Sequence, residues 1–139
     1  MIKEVAFGVS NRGNFQSKEE IWDLQGTDTD LFVSLYDYDE AVIGYYTKKG
    51  SLSGYDGDIL MPEEFILDVD GTSIRNARDK LMGLVNILDD CNLYYRIYFS
   101  GTGFHVGIHK SAFKWEPSPN LHVRVKEELT KVGIFQFFD

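Results

Sequence analysis

The sequence predicts an α+β fold whose second half runs β-α-β-β-α-β. Three observations carry this. Residues 64–70 are an apolar strand ending in acids, and Ile74, Ala77, Leu81, Val85 and Leu88 then recur at helical spacing. Residues 95–100 and 104–109 alternate like two strands joined by Gly101-Thr102-Gly103, the pattern of a hairpin.

The elements follow in order. Ser17 with Glu20 three residues on forms a capping box for a short helix through Leu24. Residues 31–36 read as a strand of mixed alternation. Asp39 caps a helix through about Lys48, with Gly50 ending it, and residues 51–58, rich in Gly, Ser and Asp, form a loop. Thr72 or Ser73 caps the helix that runs to about Asp90. Asn120 caps a second helix through Val132, Gly133 lies just past its end, and residues 134–138 form a last strand. Residues 1–60 are thus an N-terminal α/β extension packed on a core at 61–139, one domain overall on its 139-residue length.

Alternation assigns the faces. Phe65, Leu67 and Val69 turn toward the helices, so Ile66, Asp68 and Asp70 face the open side. Phe104, Val106 and Ile108 point inward, leaving His105, Gly107 and His109 open. The second strand buries Ile97 and Phe99 and presents Arg96, Tyr98 and Ser100. Gly107 keeps the row flat where a base or sugar could lie. In a split βαβ sheet the first and third strands are central neighbours and the fourth flanks the first. Were the strands parallel, His105 would begin its strand while the aspartates end theirs, and a bound nucleotide's phosphates would have to bridge the gap.

Carboxylates at i and i+2 suit a hard divalent cation, Mg²⁺ or Mn²⁺, which takes a few carboxylate oxygens and leaves room for phosphate and water. The turn Ser100-Gly101-Thr102-Gly103-Phe104-His105 offers backbone N–H groups, a hydroxyl and an imidazole to a polyphosphate. Metal carboxylates plus a phosphate turn read as phosphoryl or nucleotidyl transfer.

Asp68-Val69-Asp70 followed by the Ser-Gly-x-Gly-Phe-His turn resembles the catalytic core of the archaeo-eukaryotic primase superfamily, in particular the small phage and plasmid primases and primase-polymerases. Asp30-Leu31-Phe32-Val33-Ser34-Leu35-Tyr36 and Gly50-Ser51-Leu52-Ser53-Gly54-Tyr55 are similar to lead-in segments of the phage branch, and the likeness covers roughly residues 28–139. The resemblance implies an RNA-recognition-motif-like core and a nucleotidyltransferase that makes primers on single-stranded DNA from nucleoside triphosphates in DNA replication. A helicase, fused or separate, is the implied companion. By the same resemblance Asp68 and Asp70 bind catalytic Mg²⁺ or Mn²⁺ and Asp139 completes the metal set. Ser100, Gly101, Gly103 and His105 hold the nucleotide's phosphates, with Asp68, Asp70 and His105 the catalytic group. Family members continue with an Arg-rich segment, so the core is expected to be truncated at its C-terminus and inactive alone.

Composition sets bounds. Cys91 is the sole cysteine, which excludes a disulfide framework and fits a reducing compartment, the cytoplasm. No apolar run approaches the roughly 20 residues of a membrane span, and no signal-peptide pattern opens the chain. The formal net charge of −8 counts against the primase reading, since phosphate contact normally shows as a basic patch, and acids clustered at a metal site account for part of the excess.

Blander roles compete. Asp70-Gly71-Thr72 alone is a common helix-capping turn. Leu67-Asp68-Val69-Asp70-Gly71-Thr72 also resembles the first motif of haloacid-dehalogenase phosphatases, with Asp68 as nucleophile, Asp70 as general acid and Mg²⁺ as partner. The 67 residues before Asp68, the hairpin, and the absence of a later acidic pair on a parallel strand argue against it. A non-catalytic nucleotide- or RNA-binding module is the third reading. His109 and His122 read as surface or packing residues, and Cys91 as a small buried group. The 8 Tyr and 10 Phe are mostly core, with Tyr36, Tyr55 and Tyr98 as stacking surfaces for bases.

Overall fold

The computed structural model describes residues 1–24, 26 and 28–137, excluding the side chains of Phe135 and Gln136. It is an α+β protein of antiparallel sheets, with four α-helices among the described residues. The chain divides into two compact units, residues 1–62 with 116–122, and residues 63–115 with 123–139.

The first unit opens with a hairpin, β1 (Ile2–Phe7) and β2 (Asn11–Ser17), turned at Gly8, whose φ of +72° favours glycine. Next come α1 (Lys18–Asp23), β3 (Leu31–Val33), β4 (Asp37–Tyr38), α2 (Ala41–Lys49) and β5 (Ile59–Leu60). Sheet order is β2-β1-β4-β5, with β3 also paired to β1. Ser17 and Glu20 make the reciprocal capping box expected for α1. Asp39 accepts from the Ala41 N–H at the start of α2, one residue before the true N-cap Glu40, and Gly50 ends the helix at φ +68°.

The expected strand at 31–36 is interrupted. Ser34 Oγ accepts the Glu4 N–H at 3.1 Å and donates to Tyr36 O at 2.9 Å, so the side chain replaces ladder bonds and splits the run into β3 and β4.

The second unit holds β6 (Glu64–Val69), α3 (Ile74–Asp90), β7 (Tyr95–Phe99), β8 (Phe104–His109) and most of α4 (Leu121–Lys131). Its sheet has the order β6-β8-β7, antiparallel throughout. Phe65, Leu67, Val69, Val106 and Ile108 are buried on one face, as are Ala77, Leu81, Leu84 and Leu88 on α3. Full burial of such side chains contributes roughly 1.5–3 kcal/mol each.

Several expectations need correction. Of the Tyr and Phe residues expected mostly in the core, Phe65 alone is buried among the described residues, and Ile74 of the α3 stripe is half exposed. Residues Ile134–Phe137 form a 3₁₀ turn and not a strand: a 3₁₀ repeat puts Ile134 and Phe137 on one side, and Phe137 packs on Gly83 of α3. The expected strand's residue 138 lies outside the described residues. Ile97 and Phe99 are 47% and 65% exposed, because β7 is the outer strand of this sheet. Leu84 rather than Val85 completes the buried stripe of α3. Cys91 is exposed: it caps α3, and Asn92 at φ +54° turns the chain at the helix end. Among the described residues no helix is long and apolar enough to cross a membrane.

Candidate functional site

The open face of the β6-β8-β7 sheet carries the residues singled out above. Period-2 alternation on β6 buries Phe65, Leu67 and Val69 and leaves Glu64, Ile66 and Asp68 partly open. Register then sets the neighbours. Asp68 lies opposite His105, and His105 lies opposite Tyr98, so the three form one row across the sheet. His105 Nε2 stands 3.3 Å from Asp68 Oδ1, with both side chains nearly half exposed. The antiparallel direction removes the axial gap that parallel strands would leave, since the start of β8 lies beside the end of β6.

Asp70 follows β6 by one residue. It is not the cap of α3: Ser73 Oγ accepts the Asn76 N–H at 3.1 Å and fills that role. The loop is tied down separately, with Lys80 Nζ donating to Asp70 O at 2.8 Å and the Thr72 N–H donating to Asn76 Oδ1 at 3.2 Å.

The Ser100–His105 turn reaches the same end of the sheet. Gly103 is buried against it, and a Cβ there would stand 2.5 Å from Val69 O and 2.6 Å from Asp70 Oδ1. Ser100 Oγ accepts the Gly103 N–H at 3.0 Å, and the Ser100 N–H donates to Gly103 O at 3.0 Å. That Gly103 amide is therefore spent on closing the turn. The Ser100 hydroxyl keeps its proton to donate. Gly101 adopts φ +102°, with open space around its Cβ position.

Two features departed from expectation. Gly107 is not a bare flat spot, because the Glu64 carboxylate lies over it and accepts from Tyr98 Oη at 3.0 and 3.3 Å. Tyr98 is consequently held through its hydroxyl. Glu64 was missed as a site residue, although its place four residues before Asp68 on a strand already put it on that face. His109 is exposed and bonds through Nδ1 with Ser111, and His122 packs ring to ring with Tyr36 at 6.4 Å within the first unit. Of the expected stacking residues, Tyr36 and Tyr55 belong to the first unit and line a cleft of about 440 Å³ there with Tyr38 and His122. Asp139 lies outside the described residues.

No protein-family model, curated protein or solved structure matches this chain.

Asp68 and Asp70 are the carboxylates that a hard cation such as Mg²⁺ or Mn²⁺ would use here. Asp68 offers a hard carboxylate oxygen from the partly open face of β6, and Asp70, one residue past the strand, has an oxygen bordering the space that a Cβ at Gly103 would fill. Among the described residues no three ligating side chains converge. A cation here would complete its shell with phosphate oxygens and water, the arrangement typical of Mg²⁺ at nucleotides.

Proposed function

We propose that this open sheet face is the site of a metal-dependent nucleotidyltransferase of primase or primase-polymerase type. One observation carries the reading. Asp68 is in cross-strand register with His105, and the Ser100–His105 turn lies against Asp70, so carboxylates and phosphate-binding groups share one end of one sheet.

Further support comes from topology. The β6-β8-β7 order with α3 between β6 and β7 corresponds to the first three strands and first helix of an RNA-recognition-motif core. The fourth strand of that core is not formed at Ile134–Phe137. All the pairing is antiparallel, which runs against the doubly wound parallel sheet required by the phosphatase alternative.

Asp68 and Asp70 would hold Mg²⁺ or Mn²⁺, which when bound activates a 3′-hydroxyl and neutralises the departing pyrophosphate. The chain's own groups do the positioning. His105 is aimed by Asp68 and presents its imidazole where a phosphate oxygen would lie, a charge-assisted donor when protonated. Ser100 donates its hydroxyl from the turn. Tyr98, held by Glu64, borders the row on the side of β7. Positioning and charge stabilisation suffice for such transfer, with no covalent intermediate.

The test incubates the chain, by itself and within any longer protein that carries it, with labelled nucleoside triphosphates, single-stranded DNA template and Mn²⁺, beside a generic phosphomonoester. Template-dependent product that disappears in Asp68→Asn supports the proposal. Phosphomonoester turnover without nucleotide incorporation would transfer the assignment to the phosphatase reading.

A further inference from the structure

β7 is an edge strand. It pairs with β8, and among the described residues no strand flanks its other side. Edge strands are usually blunted by proline, bulges or inward-pointing charge. Tyr95-Arg96-Ile97-Tyr98-Phe99 has no proline, pairs with β8 in unbroken register, and carries Arg96 as its single charge. Ile97 and Phe99, on the face that elsewhere forms the core, remain 47% and 65% exposed.

The turn fixes which backbone groups point outward. The Ser100 N–H donates to Gly103 O, so Ser100 and Gly103 form a hydrogen-bonded pair. Antiparallel pairs alternate between bonded and non-bonded, which puts Tyr98 with His105 and Arg96 with Gly107 in the bonded class. Tyr95, Ile97 and Phe99 therefore direct their N–H and C=O groups away from β8.

We propose that β7 docks on β7 of a second copy of this chain, antiparallel, about a two-fold axis at Ile97. In that register Ile97 faces Ile97 of the second copy, and Tyr95 faces Phe99. Every outward amide and carbonyl of Tyr95, Ile97 and Phe99 then gains a partner. The exposed apolar side chains cover one another on the core-side face. On the open face Arg96, which already hydrogen-bonds Tyr98 of its own chain, stands opposite Tyr98 of the second copy, the phenol bonded to Glu64, so no like charges are placed directly opposite. Sliding the strands by two residues one way sets Arg96 against Arg96. Sliding them the other way leaves Tyr95 without a strand partner. The interface is isologous and closes on itself, as a two-fold contact must.

Sedimentation velocity on the whole chain tests this over roughly 1 µM to 1 mM, the range suited to a small interface. A concentration-dependent dimer is expected. Ile97→Lys, at a position open enough not to disturb the core, should weaken it at least tenfold by opposing two ammonium groups, with an unchanged circular dichroism spectrum. Register is tested in a Cys91→Ser background. Ile97→Cys should form an intermolecular disulfide under mild oxidation, since Cα atoms of a bonded pair lie about 5.5 Å apart. Tyr95→Cys, facing Phe99, should not. A monomer at every concentration overturns the proposal, as does a dimer indifferent to Ile97→Lys or one cross-linked through Tyr95→Cys and not Ile97→Cys.

Discussion

Asp68 and His105 face each other across β6 and β8, Oδ1 and Nε2 3.3 Å apart. Strand direction makes this pair. In an antiparallel ladder the last residues of β6 lie beside the first of β8, and the turn that enters β8 lies at that end too. One topological choice thus gathers a carboxylate pair, an imidazole and a glycine-rich turn without any long loop to position them. The carboxylate also holds the ring by its Nε2 edge.

If His105 contacts the nucleotide's phosphates, His105→Ala should act chiefly on KM. The substitution removes a phosphate contact and leaves Asp68 and Asp70 in place. A charge-assisted, partly desolvated bond contributes on the order of 1.5–3 kcal/mol, roughly a ten- to hundredfold effect. Steady-state kinetics against nucleotide concentration separates the parameters. A loss confined to kcat would argue that His105 serves the chemical step instead.

Asp70→Asn tests the metal. Neighbouring carboxylates repel until a cation joins them, so triphosphate binding should need Mn²⁺ and should weaken in the variant. Calorimetric titration with Mn²⁺ and with EDTA gives the comparison. Equal affinity in both, or an unaffected Asp70→Asn, would remove the metal from the reading.

Local signals were the legible part of this fold. The Ser17–Glu20 box, the α3 stripe and the β7–β8 hairpin depend on residues close in sequence, whose geometry the neighbours dictate. The site face was equally readable, because period-2 alternation fixes which side Asp68 and His105 take. Long-range effects were not. The β1–β2 hairpin lacks clean alternation, and the break at Ser34 arises from a hydroxyl bonding Glu4 thirty residues away. Exposure of Ile97 and Phe99 depends on β7 being outermost, which no pattern within the strand reveals. Residues 134–137 read as a strand, yet packing of Phe137 on Gly83 selected a 3₁₀ turn. Glu64 over Gly107 was hidden for a similar reason, since it takes three strands to bring Tyr98 within reach.

Alkaline pH should loosen the first unit. Burial pushes the Tyr36 phenol up to about 12, and burial together with the Asp39 hydrogen bond does the same for Tyr55. Their ordinary value is 10.0, so the folded state holds these protons more tightly than the unfolded chain. The resulting stabilisation is complete below pH 10 and is lost as pH rises through about 12. Urea midpoints at intervals from pH 8 to 12 should hold steady and then fall. Tyr36→Phe removes one of the ionisations and should make the fall shallower; identical profiles would mean that Tyr36 ionises no differently in the folded chain.

Gly103 and Gly107 should respond differently to alanine, although both are buried and both sit on β8 or its entry. At Gly103 the added methyl meets Val69 O, a backbone atom fixed by the β6–β8 ladder, and Asp70 Oδ1. Neither can yield without moving the strand end that carries the carboxylates. Gly103→Ala should therefore cost about 1–3 kcal/mol, as overpacking does, and should weaken metal-dependent triphosphate binding as well. At Gly107 the nearest atoms to the methyl all belong to the Glu64 side chain, from its carboxylate back to Cγ. Glu64 can swing into solvent, giving up its bond from Tyr98, whose net contribution is about 0.5–1.5 kcal/mol. Relief of glycine's conformational entropy, roughly 0.5–1 kcal/mol, offsets much of that. Gly107→Ala should thus be near neutral in urea unfolding and leave triphosphate binding intact. The reverse order of the two variants would mean that the turn, and not the strand end, is the part that gives way, and that Gly103 does not hold Asp70 in place.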